Sequence, residues 1–88
     1  MQEIDYYRTQ SGSSDPTLSQ QDYEYIYFKD SSGLPEGLSI DDYKTAFYAM
    51  ETGAPSQVDA EYAYFLANSG GTREMSLEDL QKIFFDMQ

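Results

Sequence analysis

Two pairs of adjacent carboxylates, Asp41-Asp42 and Glu78-Asp79, have the residue types best suited to acid–base or cation chemistry. Neighbouring acids can share a proton or a cation when a fold holds them together. Catalysis needs a nucleophile or an oxyanion donor beside them, and no motif in the chain supplies either. The sequence has no His and no Cys. That removes the usual general base, the commonest transition-metal ligand, a thiolate zinc site, a Ser-His-Asp triad and any disulfide framework. The chain therefore reads as non-enzymatic and without a cofactor.

Each acidic pair instead belongs to a Ser-x-x-Asp box. Four such boxes occur: Ser19/Asp22, Ser39/Asp42, Ser56/Asp59 and Ser76/Asp79. In such a box the Ser caps a helix N-terminus, and the acid three residues on reaches back to the cap. Four boxes predict four helices, over Ser19–Lys29, Ser39–Glu51, Ser56–Ala67 and Ser76–Met87. Gly33, Pro35 and Gly37 break the first pair of helices, and Gly70 and Gly71 the second. Gly53-Ala54-Pro55-Ser56 separates the two pairs.

The pairs resemble each other in sequence. Setting Ser19–Met50 over Ser56–Met87 gives thirteen identities in 32 positions without a gap. Each unit reads as helix–loop–helix, and the domain as two units. Apolar stripes follow at i, i+3, i+4, i+7: Tyr43, Ala46, Phe47 and Met50, then Leu80, Ile83, Phe84 and Met87. Residues 17–88 form this domain. Residues 1–16 read as a flexible polar tail, low in complexity from Thr9 to Pro16. Ahead of that stretch lies Ile4-Asp5-Tyr6-Tyr7. It is either part of an unstructured terminus or a short peptide that docks on this domain or another protein. Its acidic context also makes Tyr6 and Tyr7 candidates for modification.

Composition bounds the partners. The chain has 88 residues, 16 acidic and 5 basic side chains, and a net charge of −11. Five cations cannot easily build a phosphate-binding face, so nucleic acid is not expected as a partner. No run approaches the ~20 apolar residues needed to span a bilayer. The acidic N-terminus has no apolar secretory core, so a cytoplasmic (or intravirion) setting is expected. Nine Tyr and five Phe argue against a disordered acidic segment.

The two helix–loop–helix units resemble the EF-hand superfamily. The similarity rests on the 37-residue offset, the linker, an aromatic (Phe28 or Phe65) closing each entering helix, and an apolar residue (Leu38 or Met75) four before an acid (Asp42 or Asp79). It implies an all-α fold of four helices in two hands, with a short β-bridge between the loops. The calcium chemistry does not carry over. Counted back from Asp42 and Asp79, the loops begin at Ser31 and Asn68. Most ligand places lack carboxylates, and Glu36 and Arg73 stand where the family has Gly. No metal is expected. The residues that could give a weak site are Asp30, Glu36, Asp42, Asn68, Glu74 and Asp79. Calcium-insensitive hands in the superfamily serve as constitutive peptide clamps. By that resemblance, the expected function is a calcium-independent clamp on a partner's amphipathic helix, one carrying apolar and basic residues. The expected groove consists of Tyr23, Tyr27, Phe47, Tyr48, Met50, Tyr64, Phe84, Phe85 and Met87. Two other readings fit the composition: an acidic decoy for a basic protein, and a homo-oligomeric assembly component.

Overall fold

A computed structural model describes residues 2–13, 15–54 and 56–88. Met1, Ser14 and Pro55 lie outside the described residues, so the expected break at Pro55 has no structural account. The helices are α1 (Glu3–Ser11), α2 (Gln20–Ser32), α3 (Ile40–Thr52), α4 (Gln57–Ser69) and α5 (Leu77–Met87). Among the described residues the all-α class holds, but five helices replace the four expected. Among the described residues no strand or bridge joins the loops. The extra helix, α1, lies within the segment read as a flexible tail.

Each of the four later helices begins at its box. The backbone N–H of Asp22, Asp42, Asp59 and Asp79 donates to the capping Ser hydroxyl at 3.2–3.3 Å. At Ser19 and Ser39 the acid also accepts from the cap's own N–H, closing the reciprocal box. α1 has no such start. Gln2 stands at its cap and makes no side-chain cap bond. That is why cap signals alone count four helices.

The helix ends share a second device. The Ser32 hydroxyl donates to the Lys29 carbonyl at 3.0 Å and accepts the Leu34 N–H at 3.3 Å. Gly33 turns the chain between them at φ 71°, a left-handed conformation suited to Gly. Ser11 and Thr52 make the same two kinds of bond, and Ser69 makes the second. α1 therefore terminates as α2, α3 and α4 do.

Successive helices pack side by side in chain order. The molecule is a slab of 37 × 28 × 14 Å between Cα atoms. A 13-residue helix is about 20 Å long, so the longer helices cannot stand along the thin direction. Tyrosine hydroxyls fasten the long connections to this frame. Tyr23 donates to the Asp15 carbonyl, Tyr43 to that of Pro35 at 2.8 Å, and Tyr62 to those of Arg73 and Met75 at 2.9 and 3.0 Å. Tyr25 reaches the Leu38 carbonyl at 3.3 Å. A buried ring with a polar tip lets Tyr pack like Phe and still satisfy a loop carbonyl. No helix among the described residues is long and apolar enough to cross a membrane.

Candidate helix-binding site

Every helix contributes two consecutive aromatic residues to the interior: Tyr6-Tyr7, Tyr27-Phe28, Phe47-Tyr48, Tyr64-Phe65 and Phe84-Phe85. The first members form a closed five-membered circuit, Tyr6–Tyr27–Phe47–Tyr64–Phe84 and back to Tyr6. Its centroid distances are 6.3, 5.7, 5.7, 6.1 and 5.4 Å. The second members form another, Tyr7–Phe28–Tyr48–Phe65–Phe85, at 5.7, 5.6, 6.1, 6.0 and 5.8 Å back to Tyr7. The second ring of each helix also touches the first ring of the next: Tyr7–Tyr27, Phe28–Phe47, Tyr48–Tyr64, Phe65–Phe84 and Phe85–Tyr6. The core is thus two stacked pentagons of rings. Most pairs are edge-on or tilted, as aromatic quadrupoles prefer, each worth about 0.5–1.5 kcal/mol beyond area burial.

α1 supplies one vertex of each pentagon. Tyr6 and Tyr7 are buried between Phe84 and Phe85 of α5 and Tyr27 and Phe28 of α2. An isolated nine-residue helix without a cap is not stable in water. The order of α1 therefore comes from these two rings, and α5 and α2 form the walls of its seat.

Three residues before each aromatic pair stands a polar side chain: Glu3, Glu24, Lys44, Glu61 and Gln81. Lys44 Nζ lies 3.5 Å from Glu24 Oε1 and 5.4 Å from the centre of the Phe28 ring. Gln81 donates to Glu61 at 3.3 Å, and Gln20 to Glu24 at 3.3 Å. Burial holds the Glu3 carboxyl above its ordinary pKa, and the Glu24 charge pushes it the same way. Burial also raises Glu61, against the pull of Lys44. Lys44 is ion-paired with Glu24, while a Gln20 hydrogen bond and the Lys44 charge pull Glu3 back down, and the Lys44 charge alone does so for Glu61. Burial likewise raises the phenols of Tyr7, Tyr48 and Tyr27, and pushes Tyr64 up to about 12. Those hydroxyls stay protonated at neutral pH.

The expected groove residues mostly lie inside this core. Phe47, Tyr48, Phe84 and Phe85 are buried vertices, and Tyr27 and Tyr64 are half-buried ones. Tyr23 is buried under its connection. Met50 and Met87, both 62% exposed, lie outside. The reason is the width of the buried face. Adjacent aromatics turn the buried face toward i, i+4, i+5, as in Tyr43, Phe47 and Tyr48, so i+7 falls outside it. The residues considered for a cation serve local structure or lie exposed. Asp42 closes a cap and Asp79 donates its N–H to one. Glu36 pairs with Lys29 at 2.8 Å, and the Asn68 amide donates to the Tyr64 carbonyl. Asp30 and Glu74 are exposed. Among the described residues no group of three or more acidic side chains is placed to hold a metal ion.

Sequence reasoning missed Glu3, and left Tyr6 and Tyr7 between an unstructured terminus and a peptide docked on this domain or another protein; they belong to the core. The signal was present. Glu3-x-x-Tyr6-Tyr7 repeats the Glu24-x-x-Tyr27-Phe28 and Glu61-x-x-Tyr64-Phe65 pattern, and Ser11-Gly12 repeats Ser32-Gly33 and Ser69-Gly70. No family model, curated protein or solved structure matches the chain.

Proposed function

We propose that this chain is a non-enzymatic interaction domain that holds an amphipathic helix by its aromatic face, independently of calcium. The observation that carries the reading is the seat of α1, where two rings from one short helix complete both aromatic pentagons. α2–α5 present the walls, and the helix supplies the missing vertices. This is the clamp use that the EF-hand resemblance implied, with the proposed groove between α5 and α2 rather than between two hands. Burying two aromatic rings contributes about 3–6 kcal/mol, less than the ~8 kcal/mol of a micromolar complex, so a peptide offering only these two rings should bind at about millimolar or weaker once ordering is counted. The charge of −11 steers basic helices toward the domain. In this chain α1 competes for the seat from the same polypeptide. Its linker gives it an effective concentration on the order of millimolar.

The test uses the full chain carrying Tyr6→Ala and Tyr7→Ala, which empties the seat. A fluorescent peptide of residues 2–13 is titrated in, followed by anisotropy. Saturable binding that disappears when the peptide's own tyrosines become alanine supports the clamp. If the variant keeps its helical circular-dichroism spectrum and binds no peptide, the reading fails.

A further inference from the structure

One sequence is seen to fit the seat between α5 and α2, and that sequence is α1. Tyr6 meets Phe84 at 5.4 Å and Phe85 at 5.3 Å, and Tyr7 meets Phe28 at 5.7 Å and Phe85 at 5.8 Å. Every further copy of the chain carries the same helix and the same seat. Whether one copy's α1 can serve another depends on how firmly α1 is tied to the segment that follows it. The ties change owner between Ser13 and Asp15. On the α1 side, the Ser11 hydroxyl donates to the Arg8 carbonyl and accepts the Ser13 N–H, and the Gly12 N–H donates to the Thr9 carbonyl. On the α2 side, the Asp15 carboxylate accepts the Thr17 N–H and hydroxyl at 2.9 and 2.7 Å. The Asp15 carbonyl accepts from Tyr23, and Leu18 packs against the core. Among the described residues a single hydrogen bond joins the two groups, from the Asp15 N–H to the Ser13 hydroxyl. At 3.3 Å it is longer than an ordinary N–H···O bond. Residues 15–17 are exposed, so a turn there uncovers no core side chain.

We infer that two copies of this chain exchange α1, each first helix swinging about the hinge between Ser13 and Asp15 into the other copy's seat to give a reciprocal dimer. The inference rests on the helix-clamp reading and names the occupant, a second copy. Each half of the dimer completes both aromatic circuits with the same residues that complete them in one chain, so the exchange costs no ring contact. It costs the advantage of a tethered helix. The tether is equivalent to an effective concentration on the order of millimolar, which sets the protein concentration at which the exchanged dimer competes with the closed chain. A charge of −11 on each chain opposes the pairing. Salt screens that repulsion and so favours the dimer.

The test refolds the full chain from denaturant at micromolar and at millimolar concentration, each at low and high salt. Size exclusion with light scattering then reads the mass. A dimer should form in the millimolar samples, more of it at high salt, with α1 as protected from hydrogen exchange as in the monomer. A second sample is refolded from equal parts of unlabelled chain and chain with isotope-labelled aromatic rings. Isotope-filtered NOEs in its dimer should connect Tyr6 and Tyr7 of one copy with Phe84 and Phe85 of the other. A monomer under all conditions, or a dimer whose α1 rings contact only their own chain, overturns the exchange. The Tyr6→Ala/Tyr7→Ala chain should stay monomeric after the same treatment, and dimerisation equal to the parent's also overturns it. The NOE measurement decides the matter even where that variant fails to fold. The clamp is judged apart. Binding of the peptide of residues 2–13 to the emptied seat, with the parent chain monomeric throughout, removes the exchange and leaves the clamp standing. Neither peptide binding nor a dimer removes both.

Discussion

α1 and α4 present the same face to the core by different means. Glu3-x-x-Tyr6-Tyr7 and Glu61-x-x-Tyr64-Phe65 occupy equivalent vertices, and both helices end in Ser-Gly. α4 starts on the Ser56 cap, buries Ala60 completely and ties Tyr62 to the following connection. α1 has no side-chain cap, exposes Gln2 and joins its neighbour through the polar segment after Ser11. α4 is held by local signals at both ends and by packing together. α1 has local signals only at its C-terminal end and leans more on packing, so it should be the helix that leaves first.

The strongest way to break this contrast is to remove one ring from each helix. Phe65→Ala and Tyr7→Ala delete fully packed vertices of the same pentagon, and each should cost about 3–4 kcal/mol locally. Their consequences should differ. Phe65→Ala should lower the stability of the whole domain in a denaturant titration. Tyr7→Ala should release α1, seen as loss of hydrogen-exchange protection over residues 3–11 while α3 and α4 stay protected. Identical global unfolding by both variants would show that α1 is no more separable than α4.

A middle-sized effect is expected at the polar ring. Lys44→Met keeps the stem and removes the ammonium paired with Glu24. It should destabilise by about 1–2 kcal/mol at neutral pH, less than for a fully buried pair because these groups are partly hydrated. Chemical denaturation measures it, and a neutral result would mean that water and Gln81 suffice to screen the acids. Next in size is Ser39→Ala, which should cost about 1 kcal/mol by opening the α3 cap. A cost near zero at Ser39 would undercut the distinction between capped and uncapped helices.

The smallest effect concerns pH. Glu3 and Glu61 have folded-state pKa values above the ordinary 4.5. Their ionised forms are disfavoured in the fold, so the cost is present above the folded values. It is relieved as pH falls through them toward the unfolded value. Stability should therefore rise by tenths of a kcal/mol on acidification from about pH 7 into that window. The charges of Glu24, Lys44 and Asp41 and the hydrogen bonds of Gln20 to Glu3 and Gln81 to Glu61 set the size of the rise. Lys44→Met should steepen it. A steady loss of stability from neutral pH downward would contradict the raised Glu3 and Glu61 values.

Much of the fold was legible because its signals are local. A Ser followed three residues later by Asp specifies a helix start through one hydrogen bond, whatever the rest of the chain does. All four such starts fall where the boxes stand. α1 was hidden for the converse reason. Its first turn has no cap, and its helicity depends on rings more than fifteen residues away. The aromatic stripes identified most of the buried faces, yet Met50 and Met87 counted in them are exposed. Periodicity indicates which side of a helix is apolar, but not how wide a face its neighbours cover. Most residues expected to line a groove are buried for a similar reason. Tyr48, Phe84 and Phe85 are equally apolar in a groove or a core, and only a further helix seated against them decides which.

By itself, the amino-acid sequence determined the starts of α2–α5, the Ser/Thr-Gly ends, the acidity and the absence of His and Cys chemistry. These follow from bonds between residues a few places apart, or from composition. Only the tertiary structure decided that the aromatic pairs of α1–α5 close into two circuits, that Tyr6 and Tyr7 complete both, and that Glu3, Glu24, Lys44, Glu61 and Gln81 stand at the same place relative to those pairs. Those are long-range contacts. Their energy exists only once chain closure has brought α1 back against α5, and no local pattern contains that step.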